Sequence, residues 1–344
     1  MQLTERPIGT TNPPATPRKT SKGLWRSRYR HVGEGPPRTI WGMLAVLLRL
    51  DATPALVTPP VVGAVLGWWQ TGVFDWDLLI FLVLGTLTAM WGSAALGEYF
   101  DYRRSRFAHI QAIDEPFQTG LSLIQKGHLR PQVVINLGLI LFVLAGVCAL
   151  WLGLLGGWPV LFFFGLALVM AIGAAVAPLF KFTYVTWTFV EISRYVAFGF
   201  LPLLAGYYTQ SPQLYLLPLS IGAGFAFLVA SVFFAQRIIH LRRDWLLQKR
   251  TMSVVLGSAR AMDICLLFTV AGFVALLLGA SLTALPLWTL LTLVGLPIAL
   301  RRFAHMRREE LTLSDSISLY EGAIGATAIT GLLFILALLI DGFA

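Results

Sequence analysis

"PLSIGAGFAFLVASVFFA", residues 218–235, carries no ionisable side chain, and "QRIIHLRRDWLLQKRT", residues 236–251, follows it without a break. With Leu216 and Leu217 the first stretch is long and apolar enough to cross a hydrocarbon core of ~30 Å as a helix. The second gathers His240, Arg242, Arg243, Asp244, Lys249 and Arg250. So abrupt a change marks a membrane face. It reads either as a solvated connection between two spans or as a charged reaction site beside the bilayer.

The same alternation runs through the whole chain. Its 344 residues are 57% hydrophobic and 12% charged, against about 25% charged in soluble domains. Too little polar surface remains for a soluble protein, so the expected class is an all-α polytopic membrane protein; helices are favoured because each satisfies its own backbone polar groups in lipid. About nine spans are expected, near 54–71, 77–98, 132–153, 158–179, 186–207, 216–238, 260–280, 284–300 and 320–340. Pro54, Pro59 and Pro60 should kink the first of these. Residues 1–38 are basic and rich in Pro and Thr, and no continuous apolar run makes them a secretory signal. They read as a disordered cytoplasmic tail ahead of a membrane domain over 39–344.

Charge sets the expected orientation. Connections near 72–76, 154–157, 208–215, 281–283 and 341–344 lack Lys and Arg, whereas 1–49, 99–131, 180–185, 237–259 and 301–319 hold nearly all of them. The positive-inside rule then puts the N-terminus in the cytoplasm and the C-terminus opposite, most simply in a bacterial inner membrane. The net charge of +9 lies between apolar runs. That points to anionic headgroups and phosphorylated substrates rather than nucleic acid. Cys148 and Cys265 sit in apolar runs and read as small buried hydrophobes.

Two basic segments are richer than topology requires: "GEYFDYRRSRFAHIQAIDEPFQTGLSLIQKGHLRP" (97–131) and the stretch from 236. On continued helices, Gly97, Asp101 and Ser105 share one face, with Glu98 beside them, and so do Gln236, His240 and Asp244. Carboxylates facing each other across two helix ends suit Mg²⁺. Arg103, Arg104, Arg243, Lys249 and Arg250 could then clamp a diphosphate. The competing reading is positive-inside topology with incidental carboxylates. Glu191 and Arg194, inside the fifth span, are either a mutual pair or cavity lining. Arg49 and Asp51 read as interfacial anchors. A transporter fits less well, because the charges gather at one face rather than at mid-membrane.

"GEYFDYRRSR" with the following "DEPFQTGLSLIQKGHLRP" resembles the first signature of the UbiA superfamily of intramembrane prenyltransferases. "QRIIHLRRDWLLQKRTMSVVLG" resembles the second, while "LRLDATPALVTPPVVGAVLG" (48–67) and "FVEISRYVAFGFLPLLAGYYTQ" (189–210) are similar to the family's first and fifth helices. The quinone-biosynthesis branch is nearest. The resemblance implies a nine-helix bundle around a central cavity, with two Asp-rich segments holding Mg²⁺ and a prenyl diphosphate. It assigns Asp101 and Asp244 to catalysis, and Asp101, Glu98 and Asp244 to the metal; His240 stands where the family has an Asp, a poor Mg²⁺ ligand better suited to a transition metal or to the diphosphate. Arg103, Arg104, Arg243, Lys249 and Arg250 fall to the diphosphate, and Glu191 and Arg194 to the cavity.

The chain also departs from these signatures. Gly97 stands for an Asn, Ser105 for an Asp and Ser122 for an Arg; Gln236 replaces an Asn, His240 an Asp and Gln248 a Gly. One aligned carboxylate survives in each segment. Two functions follow. The first is prenyl transfer from a prenyl diphosphate to an aromatic or quinone-precursor acceptor, with Mg²⁺. The second is a catalytically inactive relative that binds an isoprenoid, quinone or pigment, or serves as a subunit of a larger membrane complex.

Overall fold

The structure is a computed structural model that describes residues 39–107, 119–176, 184–211, 213, 216–282, 285–304 and 312–343. The tail expected over 1–38 lies outside them. Every regular element among the described residues is helical. In chain order these are α1 (Ile40–Leu48), α2 (Thr53–Thr71), α3 (Trp76–Phe107), α4 (Gly120–Gln125), α5 (Pro131–Gly156), α6 (Trp158–Val176), α7 (Tyr184–Tyr195), α8 (Leu201–Gln210), α9 (Leu216–Ile239), α10 (Leu241–Leu246), α11 (Met252–Leu282), α12 (Gly295–Ala304) and α13 (Leu313–Phe343).

Among the described residues, eight stretches are long and apolar enough to cross a membrane: Leu50–Thr71, Trp76–Arg106, Pro131–Gly156, Trp158–Val176, Phe189–Gln210, Leu216–Ile239, Met252–Leu282 and Leu313–Phe343. The protein is an integral, multi-pass membrane protein. The ninth expected span, 284–300, is a shorter apolar segment, Leu287–Arg301. A 3₁₀ stretch over Leu287–Val294 runs into α12 there. Pro297 offers no amide to bond the Leu293 carbonyl, so regular α-helix does not extend back through this segment. The seventh span, expected from 260, follows a break at Gly257, at φ 79° and ψ 167°, which sets it off from a short helical piece beginning at Met252.

The bundle has an inside and a lipid side. α2, α3, α8 and α9 form the centre, with α2 against α8, α3 against α5, α9 against α11, and α13 against both α2 and α9. Val143, Val147 and Leu150 on α5 and Phe162 and Val169 on α6 stay exposed, as a helix facing acyl chains should. α2 and α8 meet at Gly63 and Gly206, where backbone touches backbone: a Cβ on Gly206 would lie 2.2 Å from the Pro60 carbonyl oxygen. Small residues of this kind let membrane helices approach closely.

Three local features aim side chains at the site. α3 has 32 residues, about 48 Å at 1.5 Å each, so it outruns the hydrocarbon core and carries Glu98 and Asp101 toward one membrane face. Between α7 and α8, Val196–Phe200 forms a π turn. Pro202 follows it, and its ring would clash with the carbonyl four residues back in a regular helix. After α1 the chain turns at Arg49, a left-handed residue with φ 56° and ψ 49°.

Candidate functional site

The two charged segments meet in one buried cluster. Glu98 and Asp101 come from α3, and Arg243 and Asp244 from α10; Lys249 lies just beyond α10, and all five are buried. α10 ends in a Schellman motif: the Lys249 amide donates to the Asp244 carbonyl at 2.8 Å and the Gln248 amide to the Trp245 carbonyl at 3.0 Å. The left-handed residue this requires is Gln248, at φ 54°. This turn folds the Lys249 side chain back over its own helix.

Each acid is claimed by cations. Arg243 spans Glu98 and Asp101, its Nη1 3.2 Å from Glu98 Oε2 and its Nη2 3.1 Å from Asp101 Oδ2. The Lys249 ammonium pairs with Asp101 Oδ1 and lies 3.5 Å from Asp244 Oδ1. Arg237 Nη1 meets Asp244 Oδ2 at 3.1 Å, and its Nε lies 3.7 Å from Glu191 Oε1. Arg49 donates to Glu98 Oε1 at 2.9 Å and to Gln236 Oε1 at 2.7 Å. The Leu121 amide, at the start of α4, donates to Glu98 Oε2 at 3.0 Å. Burial alone would raise the Asp244 carboxyl; Lys249, Arg237 and Arg243 outweigh it and hold it below the usual range. Burial pulls the Lys249 ammonium below its ordinary value, only partly offset by Asp101 and Asp244.

These groups border a cavity. Arg49, Arg194, Arg237, Arg243 and Lys249 line it with Asp101 and Gln236, and Leu56, Met90, Phe198, Val232 and Phe233 form an apolar wall. Gly97 also lines it, and a Cβ there would meet open space. Arg194 donates to the Ala174 carbonyl at 3.1 Å. Glu191 instead accepts the Met252 amide at 3.2 Å and faces Arg237.

Other expected site residues lie elsewhere. Arg104 braces the turn after α10, donating to the carbonyls of Leu247 at 2.7 Å and Gln248 at 3.3 Å. Arg103 is exposed and borders a separate groove with Tyr99, Tyr102, Arg106 and Pro131. Arg250 is exposed. His240 is buried outside the cavity lining, its carbonyl accepting the Asp244 amide at 2.8 Å. Ser105, where an acid was expected, accepts from Gln125 at 3.1 Å. Ser122 forms a capping box with Thr119. Arg49 and Arg237 are the residues missed in sequence. Arg49 read as an anchor, and Arg237 was one basic residue among many.

The donor set does not fit Mg²⁺ in this arrangement. Among the described residues no three His, Cys, Asp or Glu side chains group to hold a metal ion. Lys249 already bridges Asp101 and Asp244, and Arg243 bridges Glu98 and Asp101. An incoming cation would have to displace a buried ammonium or guanidinium from its acids, and that displaced charge would then need a new partner.

The comparisons with known proteins agree with the fold. The chain is similar to a UbiA homolog from Archaeoglobus fulgidus bound to GPP and Mg²⁺, with a TM-score of 0.63 and 15% identity over 88% of this chain and 100% of that one. A UbiA homolog from Aeropyrum pernix K1 gives a TM-score of 0.59 at 14% identity, over 86% of this chain and 99% of that one. A digeranylgeranylglyceryl phosphate synthase gives 0.54 at 11% identity, over 87% and 99%. No curated protein matches. The UbiA prenyltransferase family matches residues 57–315, well over half of the sequence. The chain therefore belongs to the UbiA prenyltransferase family.

Proposed function

We propose that the chain binds a prenyl diphosphate and transfers its prenyl group to an aromatic or quinone-precursor acceptor. One observation carries this reading: five cationic side chains and an apolar wall of Leu56, Met90, Phe198, Val232 and Phe233 line a single cavity. Arg and Lys suit the diphosphate, Arg by its planar fork. The apolar wall suits the isoprenoid. In the reaction the C1–O bond breaks, the diphosphate leaves with the electron pair, the acceptor bonds to C1, and the acceptor gives up a proton. Fixed donors aimed at the leaving group stabilise its growing charge, and a site that excludes water protects the allylic cation.

The cavity leaves about 40 Å³ for water-sized occupants, room for about three waters. A diphosphate therefore needs the lining side chains to rearrange rather than a ready void. The charged cluster faces the cytoplasm of a bacterial inner membrane, in keeping with the positive-inside pattern.

Purified protein incubated with prenyl diphosphates and a panel of aromatic acceptors should form prenylated product. Lys249→Ala should lower kcat/KM about ten- to a hundredfold, the worth of one charge-assisted hydrogen bond. A second reading has its own support, since Asp101 and Asp244 are already paired with Lys249, Arg243 and Arg237. In that reading the chain binds the isoprenoid diphosphate without turning it over. Saturable binding with no product across the panel would select it.

A further inference from the structure

We propose that Arg243 and Lys249 take the place of a bridging divalent cation, so that side-chain cations alone hold the diphosphate. This rests on the prenyl-diphosphate reading above. Lys249 joins the surviving carboxylate of the first charged segment, Asp101, to that of the second, Asp244. Arg243 joins Asp101 to Glu98. The Lys249 bridge is the position a metal shared between the two segments would need, and Arg243 reaches from the second segment to both acids of the first. The chain has also lost the oxygens such a metal would use. Ser105 is engaged with Gln125, Gln236 accepts from Arg49, and Gly97 has no side chain.

The charge balance favours an anion. Arg49, Arg194, Arg237, Arg243 and Lys249 line the cavity, and the acids that meet them are Glu98, Asp101, Glu191 and Asp244. With one positive charge in surplus, a divalent cation would add to the excess and an anion would relieve it. Two further features point the same way. Arg49 and Arg194 each keep a buried Nε–H with no acceptor. A buried donor left unsatisfied is costly, and diphosphate oxygens are the acceptors that would fill both. On ionisation the C1–O electron pair passes to a diphosphate oxygen already held by guanidinium donors, and no metal–oxygen bond is needed.

The test is titration calorimetry of inorganic pyrophosphate into the full chain in detergent, first with EDTA and then with excess Mg²⁺. Binding is expected in EDTA, with Mg²⁺ changing the affinity by less than about tenfold, or ~1.4 kcal/mol. Lys249→Gln and Arg194→Gln should each weaken binding in EDTA by about ten- to a hundredfold. Arg194→Gln breaks none of the carboxylate pairs described here, so it keeps the test informative if Lys249→Gln folds poorly. Binding that appears only with Mg²⁺ overturns the proposal and leaves the prenyl-diphosphate reading standing. Absence of binding in both conditions, for pyrophosphate and for a prenyl thiodiphosphate, overturns both. Binding in EDTA that neither variant weakens also overturns the proposal, because the anion would then sit elsewhere.

Discussion

Gln248 holds a left-handed backbone, φ 54°, which costs an L-residue with a Cβ roughly 1–2 kcal/mol. The Schellman turn needs that geometry, and the turn sends Lys249 back to Asp101 and Asp244. A glycine at this position would relieve the strain. Gln248→Gly should therefore raise the apparent thermal midpoint in detergent, by about 1 kcal/mol of stability, with Lys249 unmoved. Asp244 supplies a prediction in pH. Burial opposes its charge, but Lys249, Arg237 and Arg243 hold its folded-state value below the ordinary one. Its stabilising share is thus complete above an unfolded value of about 3.9 and is lost as pH falls through the lower folded value. Thermal midpoints should stay flat from neutral pH to about 5 and drop below about 4. Asp244→Asn should start lower at neutral pH and fall less steeply. At this scale the sequence was partly readable. Asp101 and Asp244 stand out because charge is rare in this chain. Arg49 does not, since a basic residue at the start of a span is ordinary. Only the left-handed turn at φ 56° brings it to Glu98 and Gln236.

Helices show where local rules yield to packing. Gly63 and Gly206 let α2 and α8 touch backbone to backbone. Gly206→Val should destabilise the protein by about 3 kcal/mol or more, because backbone at 2.2 Å cannot yield as a side chain can. Loss of the folded-protein peak in size-exclusion chromatography after mild heating would report it. Apolar length alone located most of the spans. It could not anticipate the 3₁₀ stretch over Leu287–Val294 or the break at Gly257, which depend on missing amides and on one residue's φ. Nor could it say that Glu191 and Arg194, three residues apart, would part company, Glu191 toward Arg237 and Arg194 toward the Ala174 carbonyl. That choice is set by α9 and α6, elements remote in sequence.

Taken whole, the molecule spends its apolar residues twice, once on a central core and once on a lipid-facing surface. Val143, near the middle of α5, is 66% exposed. Val143→Arg should lower membrane insertion by about 2.5–3.5 kcal/mol, readable in a glycosylation-mapped insertion assay. The charged cluster adds a constraint in time. Asp101 is paired with Arg243, 142 residues further along the chain, and with Lys249 beyond it. At synthesis rates of ~5–20 residues per second, α3 waits roughly 7–30 s for these partners to be made. Glu98 has Arg49 at hand from the start, 49 residues earlier, so half of the acid pair is escorted from birth and the other half is not. The length of α3, which exceeds the hydrocarbon core, gives Asp101 room to stay near water until α10 arrives. The site is thus among the last parts of the protein to be completed, and a ribosome stalled before residue 243 leaves behind a membrane bundle whose acid end is still open to whatever cation the surrounding water offers.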